Sequence, residues 1–150
     1  MSEFINTIDQ LGDEVVLARI IDGSLIEFKD DKITTLTRYC FRYHSSLITI
    51  DLPKLTSIEY GAWYECSNLT TLILRSSSLC SLSNTMVFYL TPIAKGSGYI
   101  YVPRALLSDD DSTKDYRKAT NWTTYANQFR ALEDYTIDGT TTGELDPSKI

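Results

Sequence analysis

One histidine and three cysteines are all that 150 residues hold of the two most chemically versatile side chains. A single histidine, His44, narrows the acid–base and metal chemistry open to the chain. Cys40, Cys66 and Cys80 are too few and too odd in number to frame a disulfide scaffold. Long apolar runs are missing as well: Ile20–Ile21 and Leu47–Ile50 are each interrupted within a few residues, which predicts no transmembrane helix and no membrane insertion. The opening MSEFINTIDQLGDEVV has no basic start followed by an apolar run, so no secretory signal is expected in it. A basic surplus is also lacking. Net charge is −6, which argues against nucleic acid as the main partner. What is present is ordinary for one globular domain, with 43% hydrophobic and 23% charged residues, neither a disordered tail nor a coiled coil. Tyrosine is the exception, with 10 copies.

The acidity is uneven. Residues 1–32 carry net −5, residues 33–103 net +2, residues 104–135 net −1 and residues 136–150 net −2. A nearly uncharged middle rich in Thr, Ser, Leu and Ile, between polar ends, is the layout of a β-rich core with solvated caps. Asp109, Asp110 and Asp111 form a solvated turn or helix start; no Asp-x-Asp-x-Asp-Gly ladder with a closing Glu follows, so a calcium loop is not expected.

Self-similarity resolves the middle. At an offset of 22, Leu36 falls on Ile58, Phe41 on Trp63, Leu47 on Leu69, Ile50 on Leu72 and Leu52 on Leu74. One unit earlier, Leu25 and Phe28 fall on Leu47 and Ile50. Later, Leu82 to Ile93 match Ile58 to Leu69 at an offset of 24, and an insertion at Ala94–Gly98 delays the next strand to Tyr99–Val102. At this register His44, Cys66 and Leu90 share one column, and Cys40, Ala62 and Met86 another. Leu47-x-x-Ile50-x-Leu52 and its copy Leu69-x-x-Leu72-x-Leu74 read as strands whose alternation points Ile50 and Leu52 inward and Asp51 outward. Leu55, Ile58, Phe41 and Trp63 line the opposite wall. One such turn cannot cover its apolar face alone; stacked turns can.

The stretch Leu55-Thr-Ser-Ile58-Glu-Tyr-Gly-Ala62-Trp63-Tyr-Glu-Cys66-Ser-Asn-Leu69-Thr-Thr-Leu72-Ile-Leu74 resembles the BspA-type (Treponema pallidum-type) leucine-rich repeat, and the copy before it does so with Cys40, Phe41 and His44 in place of Ala, Phe and Cys. The resemblance implies an α/β solenoid: a short leucine-rich-repeat stack over residues 25–103 with about four parallel strands. An open stack needs covers at both ends. Residues 1–24 read as an N-terminal helical cap, with Phe4, Ile5, Ile8, Leu11 and Val15 at mixed helical spacing. Residues 104–135 read as a C-terminal helical cap, in which Tyr116, Trp122, Tyr125, Phe129 and Leu132 close the end. Residues 136–150 carry no core signal and are expected to be a flexible tail, or to order only against a partner.

A second resemblance spans nearly the whole chain. The opening Phe4-Ile-Asn-Thr-Ile-Asp, the strand Tyr99-Ile-Tyr-Val-Pro103 and the closing Tyr116-x-x-Ala-Thr-Asn-Trp122-x-x-Tyr125-Ala are similar to short proteins of phages and prophages of Firmicutes. That implies a non-enzymatic virion structural protein, a tail, fibre or decoration component made in the host cytoplasm. It implies other virion proteins as partners, homo-oligomers, and a host-surface protein or glycan as target. The alternative is a bacterial surface adhesion or protein-interaction module.

No catalytic constellation emerges, and no cofactor or metal is expected. Cys40 and His44 stand four apart, a spacing open to zinc or to a Cys–His pair, but the repeat puts both in packing columns. No nucleophile elbow, phosphate loop or facing carboxylate pair is present. The candidate binding surface is the outer sheet face, where Glu27, Thr49, Thr71 and Tyr99 form one ladder and Lys29, Asp51, Ile73 and Tyr101 another. Tyr99 and Tyr101 either bind a partner there or shield the last strand. Tyr43 and Tyr64, read as sharing a column on the turn surface beside Arg42 and Glu65, are a second candidate patch.

Overall fold

The computed structural model describes residues 25–108, 111, 113–136 and 144–145. The expected N-terminal cap at 1–24, Asp109, Asp110 and most of the 136–150 tail lie outside the described residues.

The leucine pattern does what its period requires. Strands β1 (Glu27–Lys29), β3 (Thr49–Asp51), β5 (Thr71–Ile73) and β7 (Tyr99–Val102) lie parallel and in order, pairing Phe28 with Ile50, Ile50 with Leu72 and Leu72 with Ile100. The inward residues Ile50, Leu52, Leu72 and Ile100 are fully buried. The opposite wall is itself a parallel sheet of three two-residue strands, β2 (Thr35–Leu36), β4 (Ser57–Ile58) and β6 (Ser81–Leu82). Ile58 pairs there with Leu36 on one side and Leu82 on the other. Each coil of the solenoid therefore runs from one sheet through the other and back by a tight turn. The core between the walls is continuous, as expected where no single coil is self-sufficient. Aromatics fill its turn end: Trp63 stacks on Phe88 at 5.2 Å and 18°, and Phe88 meets Tyr125 edge-on at 5.0 Å.

The expected count of four strands is one short for the main sheet. A fifth, β8 (Phe129–Ala131), pairs parallel with β7. The stretch Tyr125–Leu132 was expected to be helical, because Tyr125, Phe129 and Leu132 fit a helical spacing. Phe129 and Ala131 also fit a strand, and both are buried while Arg130 between them is only partly so. The open edge of β7 decides the matter, since unpaired backbone groups there would otherwise be lost to the sheet.

The rest of the C-terminal cap is made of 3-10 turns at Arg104–Leu106, Tyr116–Lys118, Trp122–Gln128 and Leu132–Asp134, rather than α-helices. Beyond it, β9 (Tyr135–Thr136) pairs antiparallel with β10 (Glu144–Leu145). The cap completes the short sheet with side chains instead of another strand. The Tyr116 hydroxyl accepts from Cys80 N at 2.7 Å, Trp122 Nε1 donates to Cys80 O at 2.7 Å, and Asn121 Nδ2 donates to Leu82 O at 2.6 Å. The aromatic motif of residues 116–126 is thus accounted for by capping.

The third turn departs from the expected columns by one residue. Strand β6 keeps the offset of 24 (Ile58 with Leu82), but Trp63 N donates to Val87 O and Glu65 N to Tyr89 O, so the turn runs at 25. Val87 and Thr91, both fully buried, take the places expected for Met86 and Leu90; Leu90 is 38% exposed. The extra residue lies between Leu82 and Val87, where the chain forms a 3-10 turn (Thr85–Phe88) capped by Asn84, whose Oδ1 accepts from Met86 N at 2.8 Å; beyond it Leu90 regains the left-handed conformation (φ 59°) that Glu65 has one coil earlier (φ 59°). The insertion folds into a single-turn helix α1 (Pro92–Lys95), with Thr91 Oγ1 accepting from Ala94 N at 3.2 Å.

Candidate interaction surface

The two sheet-face ladders form in the register expected: Glu27, Thr49, Thr71 and Tyr99 are cross-strand neighbours in turn, as are Lys29, Asp51, Ile73 and Tyr101. Their solvent access is a different matter. Thr49, Asp51, Thr71, Ile73 and Tyr101 are buried, and Tyr99 is 37% exposed. Glu27 is half-buried, Lys29 is exposed, and the two form an ion pair at 3.2 Å. Outward on the pleat does not mean wet, because long side chains lie down over this face. Arg75 clamps Asp51 with two bonds, Nε to Oδ1 at 2.9 Å and a terminal nitrogen to Oδ2 at 3.0 Å. Tyr135 packs edge-on against Tyr101 at 5.1 Å, and the Arg130 guanidinium sits over the Tyr99 ring at 4.6 Å. Burial pushes the Tyr101 phenol up to about 12, with Tyr135 and Tyr99 adding to the effect. A shallow cleft of about 390 Å³ remains beside Lys29, Asp31, Asp51 and Arg75.

The turns between the two sheets present a larger aromatic surface. Tyr39, Tyr43, Gly61, Glu65 and Leu90 all have positive φ, between 58° and 67°. Such turns stack by backbone bonds from one coil to the next: Tyr39 N to Tyr60 O at 3.1 Å, Tyr43 N to Tyr64 O at 2.9 Å and Glu65 N to Tyr89 O at 2.7 Å. These bonds bring five tyrosines into a ridge. Tyr39 meets Tyr60 at 5.4 Å and Tyr64 at 6.1 Å, Tyr43 meets Tyr64 at 6.3 Å, and Tyr64 meets Tyr89 at 4.8 Å. Tyr43 is 57% exposed and Tyr89 38%, while Tyr64 is half-buried between them.

Tyr43 and Tyr64 do not share a column as expected. The backbone register sets Tyr64 beside Arg42 and Tyr89, and Tyr43 beside Glu65; the two rings meet by leaning across the ridge. Gly61 makes room for the Tyr39 ring. A Cβ there would come within 2.4 Å of the Tyr39 ring, so the missing side chain of one coil is filled by the tyrosine of the coil before. Arg38 stands 5.8 Å over Tyr60, and Arg42 lies 4.7 Å over Tyr39 and 5.0 Å over Tyr43. Tyr39, Tyr60, Tyr89 and Arg38 were not picked out from the sequence. The available signal was the crowding of half the chain's tyrosines into three turns.

The thiols lie elsewhere. Cys66 is buried, its Sγ donates to Phe41 O at 2.9 Å, and burial pushes the thiol up to about 12. Burial also raises Cys80, and it raises half-buried Cys40, where nearby Cys66 adds to the shift. At neutral pH all three are held as thiols, which are poor nucleophiles and poor metal ligands. His44 is buried against Phe41, and its Nε2, like Trp63 Nε1, has no hydrogen-bond partner among the described residues. Among the described residues no cluster of three or more His, Cys, Asp or Glu could hold a metal, and no helix is long and apolar enough to cross a membrane.

The family model described as BspA type leucine rich repeat region (6 copies) matches residues 18–95, just over half of the chain. Searches of curated proteins and of solved structures found no match.

Proposed function

The chain belongs to the BspA-type leucine-rich repeat family, and from that premise we propose that it is a non-enzymatic interaction module displayed on a phage virion. The carrying observation is the exposed tyrosine–arginine ridge. Tyrosine gives large contact area and a hydroxyl at little entropic cost, and arginine gives a planar fork of donors, which is why both are enriched among the residues that carry the energetics of protein interfaces. Here the solenoid holds them in fixed positions. Tyr99, with Arg130 over its ring, is a smaller contact point on the sheet face. The virion setting is supported by the resemblance of residues 4–9, 99–103 and 116–126 to short phage and prophage proteins. In that setting the chain is a tail, fibre or decoration component, attached to other virion proteins and presenting the ridge to a host-surface protein or glycan.

Mass spectrometry of purified particles is expected to find the chain in stoichiometric amount. Particles carrying Tyr43→Ala plus Tyr89→Ala are expected to attach to host cells at least about tenfold more weakly, the loss of a small hot-spot cluster. Particles that lack the protein, or that attach unchanged with both tyrosines removed, would overturn the proposal.

A further inference from the structure

The ridge holds two guanidiniums that its own chain leaves unpaired. Arg38 and Arg42 are both exposed on the first turn. Neither forms an ion pair with a described residue, and Glu59 of the next coil reaches Arg38 only through its backbone N–H, at 3.2 Å. Arg42 is nevertheless held in place, 4.7 Å over the Tyr39 ring and 5.0 Å over Tyr43. Rings against its faces leave only the in-plane edge of N–H donors free. A guanidinium ordered in this way loses little freedom on binding, and its fork matches two oxygens of a carboxylate or phosphate. Arg38 repeats the device more loosely, 5.8 Å over Tyr60. Glu59 and Glu65 on the next coil balance the two arginines, so the ridge offers a matched oxyanion site rather than a general attraction for polyanions.

What carries the oxyanion follows from the shape of the strip. Three turns at about 4.8 Å make it roughly 15 Å long, and Leu90 is its only large aliphatic side chain left exposed. A stable protein interface takes about 800 Å² from each partner, around an apolar centre. The strip offers neither. A sugar ring needs far less: a face of C–H groups to lie on a tyrosine, and hydroxyls to bond with phenols. Tyr43, 57% exposed, adjoins the Arg42 fork, and Tyr64 and Tyr89 continue the Arg42 column over the next two coils. We propose that the turn ridge is a site for an acidic sugar, its carboxylate or phosphate held by Arg42 and its ring lying against Tyr43. The proposal rests on the reading of the ridge as the attachment face and, of protein and glycan, names the glycan.

Two-dimensional NMR of the full chain tests this with glucuronate, glucose 6-phosphate, glucose and inorganic phosphate as probes. At least one of the two sugar acids is expected to shift the Arg42 Nε–H and the Tyr43 amide, saturating in the millimolar range of a site with few contacts. Which of them binds separates a carboxylate-bearing sugar from a phosphorylated one. Glucose and inorganic phosphate are each expected to bind at least about tenfold more weakly, since each lacks half of the match. Arg42→Lys keeps the charge and loses the fork, and is expected to weaken the sugar acid at least about fivefold while the rest of the spectrum stays unchanged. Glucose binding as tightly as the acids, inorganic phosphate binding as tightly (an adventitious ion only), or no probe binding overturns the proposal. So does a short glutamate-rich peptide that binds these residues more tightly than either sugar acid, which gives the ridge to a protein. The attachment reading falls separately. Sugar-acid binding with particle attachment unchanged in the tyrosine variants upholds the site and sinks that reading; attachment lost in those variants without sugar-acid binding does the reverse.

Discussion

At the scale of single residues, small side chains do much of the positioning. Gly98 precedes β7 where the insertion rejoins the stack, and a Cβ there would lie 2.9 Å from both Ile93 N and Thr70 O. Backbone atoms cannot give way as a side chain can. Gly98→Ala is therefore expected to destabilise the fold by ~1–3 kcal/mol, the usual range for overpacking, read as a lowered urea midpoint. Gly61 is the contrasting case, since its obstacle is the movable ring of Tyr39. The fates of Asp51 and Tyr101 show the limit of residue-level reading. Alternation correctly assigned both to the outer side of the pleat, but nothing local announced that Arg75 and Tyr135 would cover them.

Among the elements, the strands marked by L-x-x-L-x-L were legible because three inward apolar residues per coil leave one register that buries them all. The two-residue strands β2, β4 and β6 were not, since two residues carry no period. The C-terminal cap was legible as a cover and wrong in its form. Its aromatics do close the stack, but as 3-10 turns and a strand, because β6 and β7 each present unpaired backbone groups that an α-helix could not answer. Tyr116 is fully buried with its hydroxyl on Cys80 N. Tyr116→Phe keeps the ring and orphans that donor, so a loss of ~1–3 kcal/mol is expected in denaturant titration. Faster hydrogen exchange at the Cys80 amide would locate the effect. Unchanged stability would mean that the edge is satisfied in some other way.

For the whole molecule, repeats and cap share one core rather than two. Trp63 of the second coil stacks on Phe88 of the third, and Phe88 in turn touches Trp122 of the cap at 6.1 Å. With so few coils, an interface lost at one end exposes most of what remains. Urea unfolding followed by tryptophan fluorescence and by far-ultraviolet circular dichroism is expected to give coincident single transitions. Separate midpoints would mean that the cap unfolds independently of the repeats.

The amino-acid pattern by itself determined the 22-residue coil, the register of the main sheet and the interior placement of Cys66, because periodic burial of leucine and isoleucine tolerates only one stacking. Only the tertiary structure decided which outward residues stay in water. Exposure depends on which distant side chains, such as Arg75, Arg130 and Tyr135, lie across a face, and a repeat unit carries no record of them. The same holds for the ridge. Its tyrosines and arginines are scattered between positions 38 and 89 and come together only because left-handed turns stack coil on coil, setting Tyr64 between Arg42 and Tyr89.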